Sequence, residues 1–158
     1  MPNVAHLLDI PLDDPSLNIP LCPVGTWKGE LVKITFRDKD ADGEPLTDKN
    51  GDEYMMIRLL VRPEAPTDDV ADKAAAKEWI EAGGPAETIL SHSIFIRGKR
   101  GMMRATQLIA ALGVPTAGRS LRQVAEQYKG GVPIHFEVEH TQYNDEDRED
   151  VTAVYPVD

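Results

Sequence analysis

The sequence predicts a mainly β domain, a five-stranded barrel with helical insertions. Three observations lead to this prediction. The chain has 158 residues, enough for one domain to bury a core of its own. Five segments have the residue pattern of β-strands, and segments with helical spacing stand before and after the third of them.

The composition is that of a globular protein that folds without disulfides. The hydrophobic share is 41% and the charged share is 28%. Cys22 has no second thiol with which to form a disulfide or a zinc site, which favours a reducing compartment such as the cytoplasm. No signal peptide and no run of about 18 apolar residues is evident, so we expect neither secretion nor a membrane partner.

Residues 1–23 are predicted to form an extended arm, and residues 24–158 a single domain. Prolines recur in the arm at positions 2, 11, 15, 20 and 23, with little periodicity between them. We expect the arm to wrap around the domain or around a partner.

The first strand starts at Thr26 and contains a predicted bulge near Leu31. Its apolar parity changes at that point, from Trp27, Gly29 and Leu31 to Val32, Ile34 and Phe36. One extra residue produces such a change, and bulged strands bend. A polar connection over residues 38–52 leads to a second strand, Glu53–Arg62, which we expect Pro63 to end.

The middle of the chain alternates between helix and strand. A helix is predicted to begin at Asp68 or Asp69 and to run to about Ala82, where two glycines and a proline follow. The third strand is predicted over Ile89–Arg97, and helical spacing returns over Met102–Leu112.

The C-terminal part predicts a short helix and a hairpin. Ser120 and Gln123 form a capping-box pattern, and the clearest alternation in the chain follows over Val132–His140. After a turn at residues 144–147, Asp150–Tyr155 is predicted as the last strand. This succession of elements is that of the oligonucleotide/oligosaccharide-binding (OB) barrel.

Positive charge is concentrated in one sector of an acidic chain. The formal net charge is -10, yet residues 91–134 carry a net charge of +6. Exposed charges more than about 8 Å apart are screened at physiological salt, so a local group of cations can still bind anions. The simpler interpretation is a loop kept soluble by its charges. The densest cations are Arg97, Lys99, Arg100 and Arg104.

Strand parity adds further cations and aromatic residues to a candidate nucleic-acid-binding face. Bases without a pairing partner stack on exposed rings, while cations hold the phosphates. Tyr54 and Phe95 share their parity with arginines, but Met56 also shares the parity of Tyr54, so both rings could instead close the core. The additional residues predicted to bind are Lys33, Arg37, Tyr54, Arg58, Phe95 and Trp27. For Trp27 the alternative is packing at one end of the core.

The sequence predicts no catalytic or metal site and no cofactor. Asp38, Asp40 and Asp42 begin like a calcium loop, but Lys49 stands where the last ligand should be Glu. The four histidines are dispersed, and no nucleophile elbow, phosphate loop or dinucleotide motif is present. We therefore expect a protein that is not an enzyme. A nuclease that uses the aspartates of the 38–52 connection stays open as an alternative.

Layout and strand-start signals are shared with a known family. They are Gly29-Glu30-Leu31 with Lys33, Gly43, Gly51, Tyr54–Val61, Leu112-Gly113-Val114, Gly131-Val132-Pro133 and Val154-Tyr155-Pro156. On these signals the chain from Ile19 to Pro156 resembles the bacteriophage single-stranded-DNA-binding proteins that use one OB barrel.

The resemblance implies a viral protein that binds single-stranded DNA with tolerance of sequence during phage DNA replication or recombination, in the host cytoplasm and without a cofactor. Replication or recombination proteins are implied as further partners, and a homo-oligomer as one form of assembly. Many such proteins end in a long acidic tail tipped by an aromatic residue. Here the acidic run lies at residues 145–150 instead, which puts recruitment by a tail in doubt. The rival interpretation is a protein-interaction or virion-assembly module.

Overall fold

A computed structural model describes residues 8–15 and 20–157 of the chain. Within them five antiparallel strands form one sheet, in the order β3-β2-β1-β4-β5. The strands are β1 Gly25–Arg37, β2 Met55–Pro66, β3 Leu90–Ile96, β4 Val132–Tyr143 and β5 Glu146–Pro156. The predicted mainly β, five-stranded fold class is confirmed.

Four helices in the described residues fill the two long connections. Between β2 and β3 lie α1 Lys73–Glu81 and α2 Gly84–Glu87, and between β3 and β4 lie α3 Lys99–Ala111 and α4 Leu121–Gln127. Helices therefore stand on both sides of β3, as predicted. None of the helices in the described part has the length and apolarity that a membrane crossing requires.

The two outer strands of the sheet approach each other, which curls the sheet toward a barrel. His92 on β3 and Val151 on β5 bridge this seam, because the His92 Nδ1 atom lies 2.8 Å from the Val151 carbonyl oxygen. A side chain thus spans the gap between two strands that are not neighbours in the sheet. With β1 between β2 and β4, and β3 beside β5, the topology is that of an OB barrel.

Strand β1 is the central strand of the sheet and joins the β2–β3 half to the β4–β5 half. It pairs with β2 along nearly its whole length and with β4 over Gly25–Leu31. The register with β2 shifts between Leu31 and Lys33, which makes Val32 the extra residue and confirms the predicted bulge. A bulge bends a strand and increases its twist, and this allows β1 to leave β4 while it stays paired with β2.

Pro63 does not end β2, so the predicted boundary is wrong. The strand continues to Pro66, and Pro63 pairs with Gly29 next to a second register shift of β1. A proline is tolerated at a bulge because the ladder does not need its missing N–H there. The two backbones also approach closely, since a Cβ atom on Gly29 would lie 2.0 Å from the carbonyl oxygen of Arg62.

The barrel core is closed at one end by two tryptophans. Its fully buried side chains include Leu31, Ile34, Ile57, Leu59, Ile134 and Phe136. The rings of Trp27 and Trp79 meet edge to face, with centroids 5.2 Å apart. Trp27 Nε1 donates to the Pro23 carbonyl oxygen at 2.8 Å, and Trp79 Nε1 donates to that of Pro20 at 2.9 Å. Helix α1, which carries Trp79, therefore seals this end.

The last residues of the predicted arm are part of the fold. Cys22 is fully buried in the core, and burial, followed by the nearby Glu149 carboxylate, raises the pKa of its thiol. The chain over residues 20–23 thus lies against the barrel, as expected of an arm that wraps around the domain. The rest of the arm falls partly on residues 1–7 and 16–19, which lie outside the described residues.

Two helices begin at residues other than those predicted. The N-cap of α1 is Asp72, whose side chain accepts from the Ala75 N–H at 3.0 Å, so neither Asp68 nor Asp69 caps the helix. Helix α3 begins at Lys99, ahead of the first predicted helical residue. The predicted capping box of α4 is confirmed, because both of its hydrogen bonds between Ser120 and Gln123 are formed.

The terminal hairpin is longer than predicted. Strands β4 and β5 extend past His140 and Asp150 to a two-residue turn at Asn144 and Asp145, whose φ angles are 52° and 64°. Asn and Asp adopt this left-handed conformation more readily than other residues with side chains, and it suits the tight turn of a hairpin.

Gly29→Ala tests the close approach of β1 and β2. A Cβ atom would lie 2.0 Å from the Arg62 carbonyl oxygen and 2.8 Å from the Phe136 ring. We expect the free energy of unfolding to fall by about 2 kcal/mol or more, measured by urea denaturation. Gly98→Ala is the control, since nothing lies within 4 Å of its Cβ position, and it should cost about 0.5 kcal/mol or less. Equal stability of the two variants would contradict the close approach.

Candidate nucleic-acid interface

The outer face of β1, β2 and β3 carries three rows of side chains, one residue from each strand. The pairing registers define the rows as Arg37–Met56–Phe95, Thr35–Arg58–Ser93 and Lys33–Leu60–Ser91. These side chains point away from the core, because the alternate residues of β2 (Ile57, Leu59 and Val61) are the buried ones. We call the nine residues of the three rows the cationic face, since each row contains one Lys or Arg.

No carboxylate in the described part of the chain forms an ion pair with the cations of this face. Lys33, Arg37 and Arg58 are all exposed. Among the described residues, ion pairs form between Arg62 and Glu30 and between Arg97 and Asp48, and neither involves these three side chains. Arg37 Nε donates to the Lys39 carbonyl oxygen at 3.0 Å, which orients the guanidinium without neutralising it. Their charge is therefore available to an anion that approaches the sheet.

Tyr54 and Phe95 lie together at one end of the cationic face. Their ring centroids are 5.9 Å apart and their planes are inclined by 57°. Phe95 is 56% exposed and Tyr54 is half-buried, so the alternative that Phe95 closes the core is wrong. Met56 lies on the outer face as well. The parity that Tyr54 shares with Met56 therefore does not place Tyr54 in the core. An exposed ring beside cations is a surface on which an unpaired base can stack.

Arg97 connects the aromatic pair to the loop between β1 and β2. Its guanidinium carbon lies 5.8 Å from the centroid of the Tyr54 ring. Its Nη1 donates to Asp48 Oδ2 at 2.7 Å. Of the residues predicted to contact phosphates, Arg97 is therefore the one that already forms an ion pair with a described carboxylate, that of Asp48.

The loop that carries Asp48 consists of two tight turns of one design. In each turn the Oδ1 atom of an aspartate, Asp40 or Asp48, accepts from the backbone N–H groups two and four residues later, at 2.9 and 3.0 Å. A glycine with a φ angle of 81° or 82° follows each aspartate, at Gly43 and Gly51. The signal for this repeat, Asp-x-Asx-Gly-acid, occurs twice in the sequence, but our sequence analysis did not find it.

These hydrogen bonds explain the electrostatics of the loop. The pKa of the Asp48 carboxyl is lowered, first by the hydrogen bond from the Asp52 backbone, then by that from Asn50 and by Arg97. No three His, Cys, Asp or Glu side chains in the described ranges converge as ligands for a metal ion. The acidic side chains Asp40 and Asp48 instead stabilise the backbone of the turns.

The remaining predicted cations lie on α3, directly after β3. Lys99 and Arg100 form its first turn, Arg104 lies in the second, and all three are exposed. The N-cap residue Gly98 provides no side-chain hydrogen bond, and the first turn has no acidic residue. Uncapped N–H groups and the positive end of the helix dipole add to the field of these cations.

Trp27 is not part of this surface, so the prediction that it stacks on bases is wrong. Its side chain is fully buried, and its indole is held between the Pro23 carbonyl oxygen and the ring of Trp79. The alternative, packing at one end of the core, is correct. Trp27 is buried because α1 packs its Trp79 against it, and the sequence next to Trp27 does not reveal where α1 packs.

The acidic hairpin projects from the opposite end of the barrel. Gly25, at the start of β1, pairs with Val138, and the hairpin continues beyond this pair to Tyr143. Arg37, in the row that contains Phe95, is the last residue of β1. The hairpin thus starts at the end away from Arg37, but its Asp147, Glu149 and Asp150 line one pocket with Ser91 of the cationic face.

The ionisation of Asp48 tests the description of the loop. Because its pKa is lowered in the folded chain, the ionised carboxylate stabilises the fold above the ordinary pKa of Asp, and that stabilisation is lost as pH falls through the lowered value. Arg97→Gln should raise the pKa only part of the way, since the Asp52 backbone hydrogen bond is the largest cause. NMR titration of the carboxyl carbon measures this, and a full return to the ordinary value would contradict it.

Comparison with known proteins assigns no family to this chain. No protein-family model matches the sequence, and a search of curated proteins finds no match.

Proposed function

We propose that the protein binds single-stranded DNA with little dependence on sequence, in the replication or recombination of a phage genome. The strand would lie on the cationic face and continue past Tyr54 and Arg97 to the start of α3. One observation carries the proposal. Three cations, Lys33, Arg37 and Arg58, form no ion pair with any described carboxylate and stand in adjacent rows of the sheet, the last of which contains the exposed ring of Phe95.

The chemistry of the face supports binding without sequence specificity. Stacking on an aromatic ring is worth about 1–3 kcal/mol per base and accepts every base, because each has a π-face. The cationic face contains no Asn, Gln, Asp or Glu, the side chains that read adenine and cytosine edges. Between its cations stand Thr35, Ser91 and Ser93, whose hydroxyl groups can donate to phosphate or sugar oxygens.

The dimensions of the face suit a single strand. Three adjacent strands spaced about 4.8 Å apart give a width of about 10 Å, and three rows spaced two residues apart give a length of about 13 Å. Such a surface accommodates a few nucleotides laid along the sheet, and the cations of α3 would extend it. OB folds bind about 4–16 nucleotides.

Neutralising the three cations of the face should flatten the salt dependence of binding. Each phosphate contact on a single strand contributes about -0.7 to the slope of log K against log salt concentration, so the triple variant Lys33→Gln, Arg37→Gln, Arg58→Gln should lose about 2 units of slope. Fluorescence anisotropy with a polythymidine oligonucleotide at several salt concentrations measures the slope.

The matched control removes three cations at the other end of the barrel, with Lys28→Gln, Lys73→Gln and Lys77→Gln. These side chains are exposed but belong to none of the three rows. Their loss should shift affinity slightly and leave the slope nearly unchanged. Equal slopes for the two triple variants would contradict the assignment of the cationic face.

Phe95→Ala should weaken binding without changing the salt slope. Loss of one stacked base is worth about 1–3 kcal/mol, or about 5- to 150-fold in affinity. Tyr143→Ala is the matched control, because Tyr143 is 58% exposed but lies on the acidic hairpin. Both affinities are measured by the same anisotropy titration. An equal loss in the two variants would show that exposed aromatic residues matter in general, and would overturn the role of Phe95.

The alternative, a protein-interaction module, is favoured by one other observation. A groove of about 510 Å³ lies between α1 and the chain at residues 20–24. Its lining is mostly apolar, from Pro23, Val24, Ala75 and Trp79, and its charged members Asp72 and Glu78 are both acidic. This groove suits a short apolar segment of a partner protein with basic flanks. A folded protein that does not bind the oligonucleotide at low salt would favour this alternative.

A further inference from the structure

We propose that the carboxylate of Asp48 occupies the position of a phosphate at Arg97, as an intramolecular competitor that a bound strand must displace. The inference rests on the proposed function and concerns how the same surface is regulated. It concerns one contact, between the loop that precedes β2 and the residue that follows β3.

The contact has the geometry of phosphate recognition. Arg97 Nη1 lies 2.7 Å from Asp48 Oδ2, in the range of a charge-assisted hydrogen bond. Carboxylate and phosphate oxygens bind the guanidinium in the same way. The Arg97 side chain is 59% exposed and that of Asp48 is 18% exposed, so the guanidinium stays accessible while the carboxylate is sheltered.

Asp48 is held in place by groups other than Arg97. Its Oδ1 atom accepts the N–H groups of Asn50 and Asp52, at 2.9 and 3.0 Å, so its second oxygen stays directed toward Arg97. Those backbone hydrogen bonds also favour its ionised form, because they lower its pKa. The Asp48 carboxylate is therefore held in position before any strand binds, and it is charged at neutral pH.

A strand can nevertheless displace it. Exposed ion pairs contribute little to stability, so the Arg97–Asp48 contact is weak compared with several phosphate contacts made at once. The cation–π contact between the Arg97 guanidinium and the Tyr54 ring can persist when the guanidinium exchanges Asp48 for a phosphate.

Displacement requires a ligand that binds elsewhere on the face at the same time. A free phosphate ion competes with Asp48 alone and gains no contact with Phe95, Arg58 or Lys33. A single strand gains all of these together, because its phosphates and bases are linked. Asp48 would thus discriminate against free phosphate and mononucleotides in favour of polymeric strands.

Asp48→Asn is the test, because an Asn side chain keeps the oxygen that accepts the two backbone N–H groups but loses the charge. Arg97 would then hold a phosphate without competition. One additional phosphate contact should steepen the slope of log K against log salt concentration by about 0.7. Relative to 1 M salt, that slope corresponds to a gain of about 8-fold in affinity for a polythymidine oligonucleotide at 50 mM salt.

Two further variants separate this effect from a general change in charge. Asp42→Asn removes the same charge from the same loop, and the Asp42 carboxylate makes no hydrogen bond or ion pair with any described residue, so the slope should stay unchanged. In an Arg97→Gln background, Asp48→Asn should produce no gain. A double-mutant cycle measures this coupling directly.

The outcomes distinguish this inference from the function on which it rests. If the unaltered protein binds the oligonucleotide and Asp48→Asn binds no more tightly, or gains no more than Asp42→Asn, the competitor role is overturned and the proposed function stands. If Asp48→Asn weakens binding, Asp48 instead orients Arg97 for the strand, which also overturns the competitor role. If the folded, unaltered protein does not bind, both proposals fail together.

Discussion

The structure depends on the central strand β1, which pairs with β2 and β4 up to Leu31 and, through the bulge at Val32, leaves β4 while it stays paired with β2. Before the bulge Leu31 faces the core, and after it Ile34 does, although three residues separate them. In a regular strand, side chains an odd number of residues apart point to opposite faces. If the strand ran through Val32 as a regular residue, with no bulge, Ile34 would face solvent and Lys33 would turn toward the core. The bulge therefore bends the sheet into a barrel and also places the cations of β1 on the outside.

The cations of the candidate anion-binding surface stand between two acidic segments, the 38–53 connection at the Arg37 end and the terminal hairpin. Cations and an exposed ring lie near the end of β1 at Arg37, whereas the acidic hairpin extends from the end at Gly25. Screening limits the reach of exposed charges to about 8 Å at physiological salt, so the field at the cationic face depends mainly on the carboxylates nearest to it, such as Asp48 beside Arg97. The net charge of -10 then governs solubility more than binding.

The loop between β1 and β2 shows how local turn chemistry reaches the candidate site. Asp40 and Asp48 build identical turns, but only the second stands beside β3, where its free oxygen meets Arg97. One carboxylate thus serves both a turn and an ion pair. Which acidic residue of the loop forms an ion pair with Arg97 therefore depends on where the loop lies relative to β3, and not on the composition of the loop.

The sequence by itself determined what depends on near neighbours along the chain. Alternation specified the strands and the outward parity of Lys33, Arg37 and Arg58, and the capping box specified the start of α4, because each signal spans a few residues; the exposure of Phe95 was left open by the sequence. The tertiary structure decided what depends on distant ones. Trp79 buries Trp27, the bulged backbone at Gly29 accommodates Pro63 within β2, and Asp48 pairs with Arg97 although 49 residues separate them. Each of these contacts joins segments that are distant in the sequence and meet only when the strands pair and α1 packs on the sheet, so no local pattern encodes it.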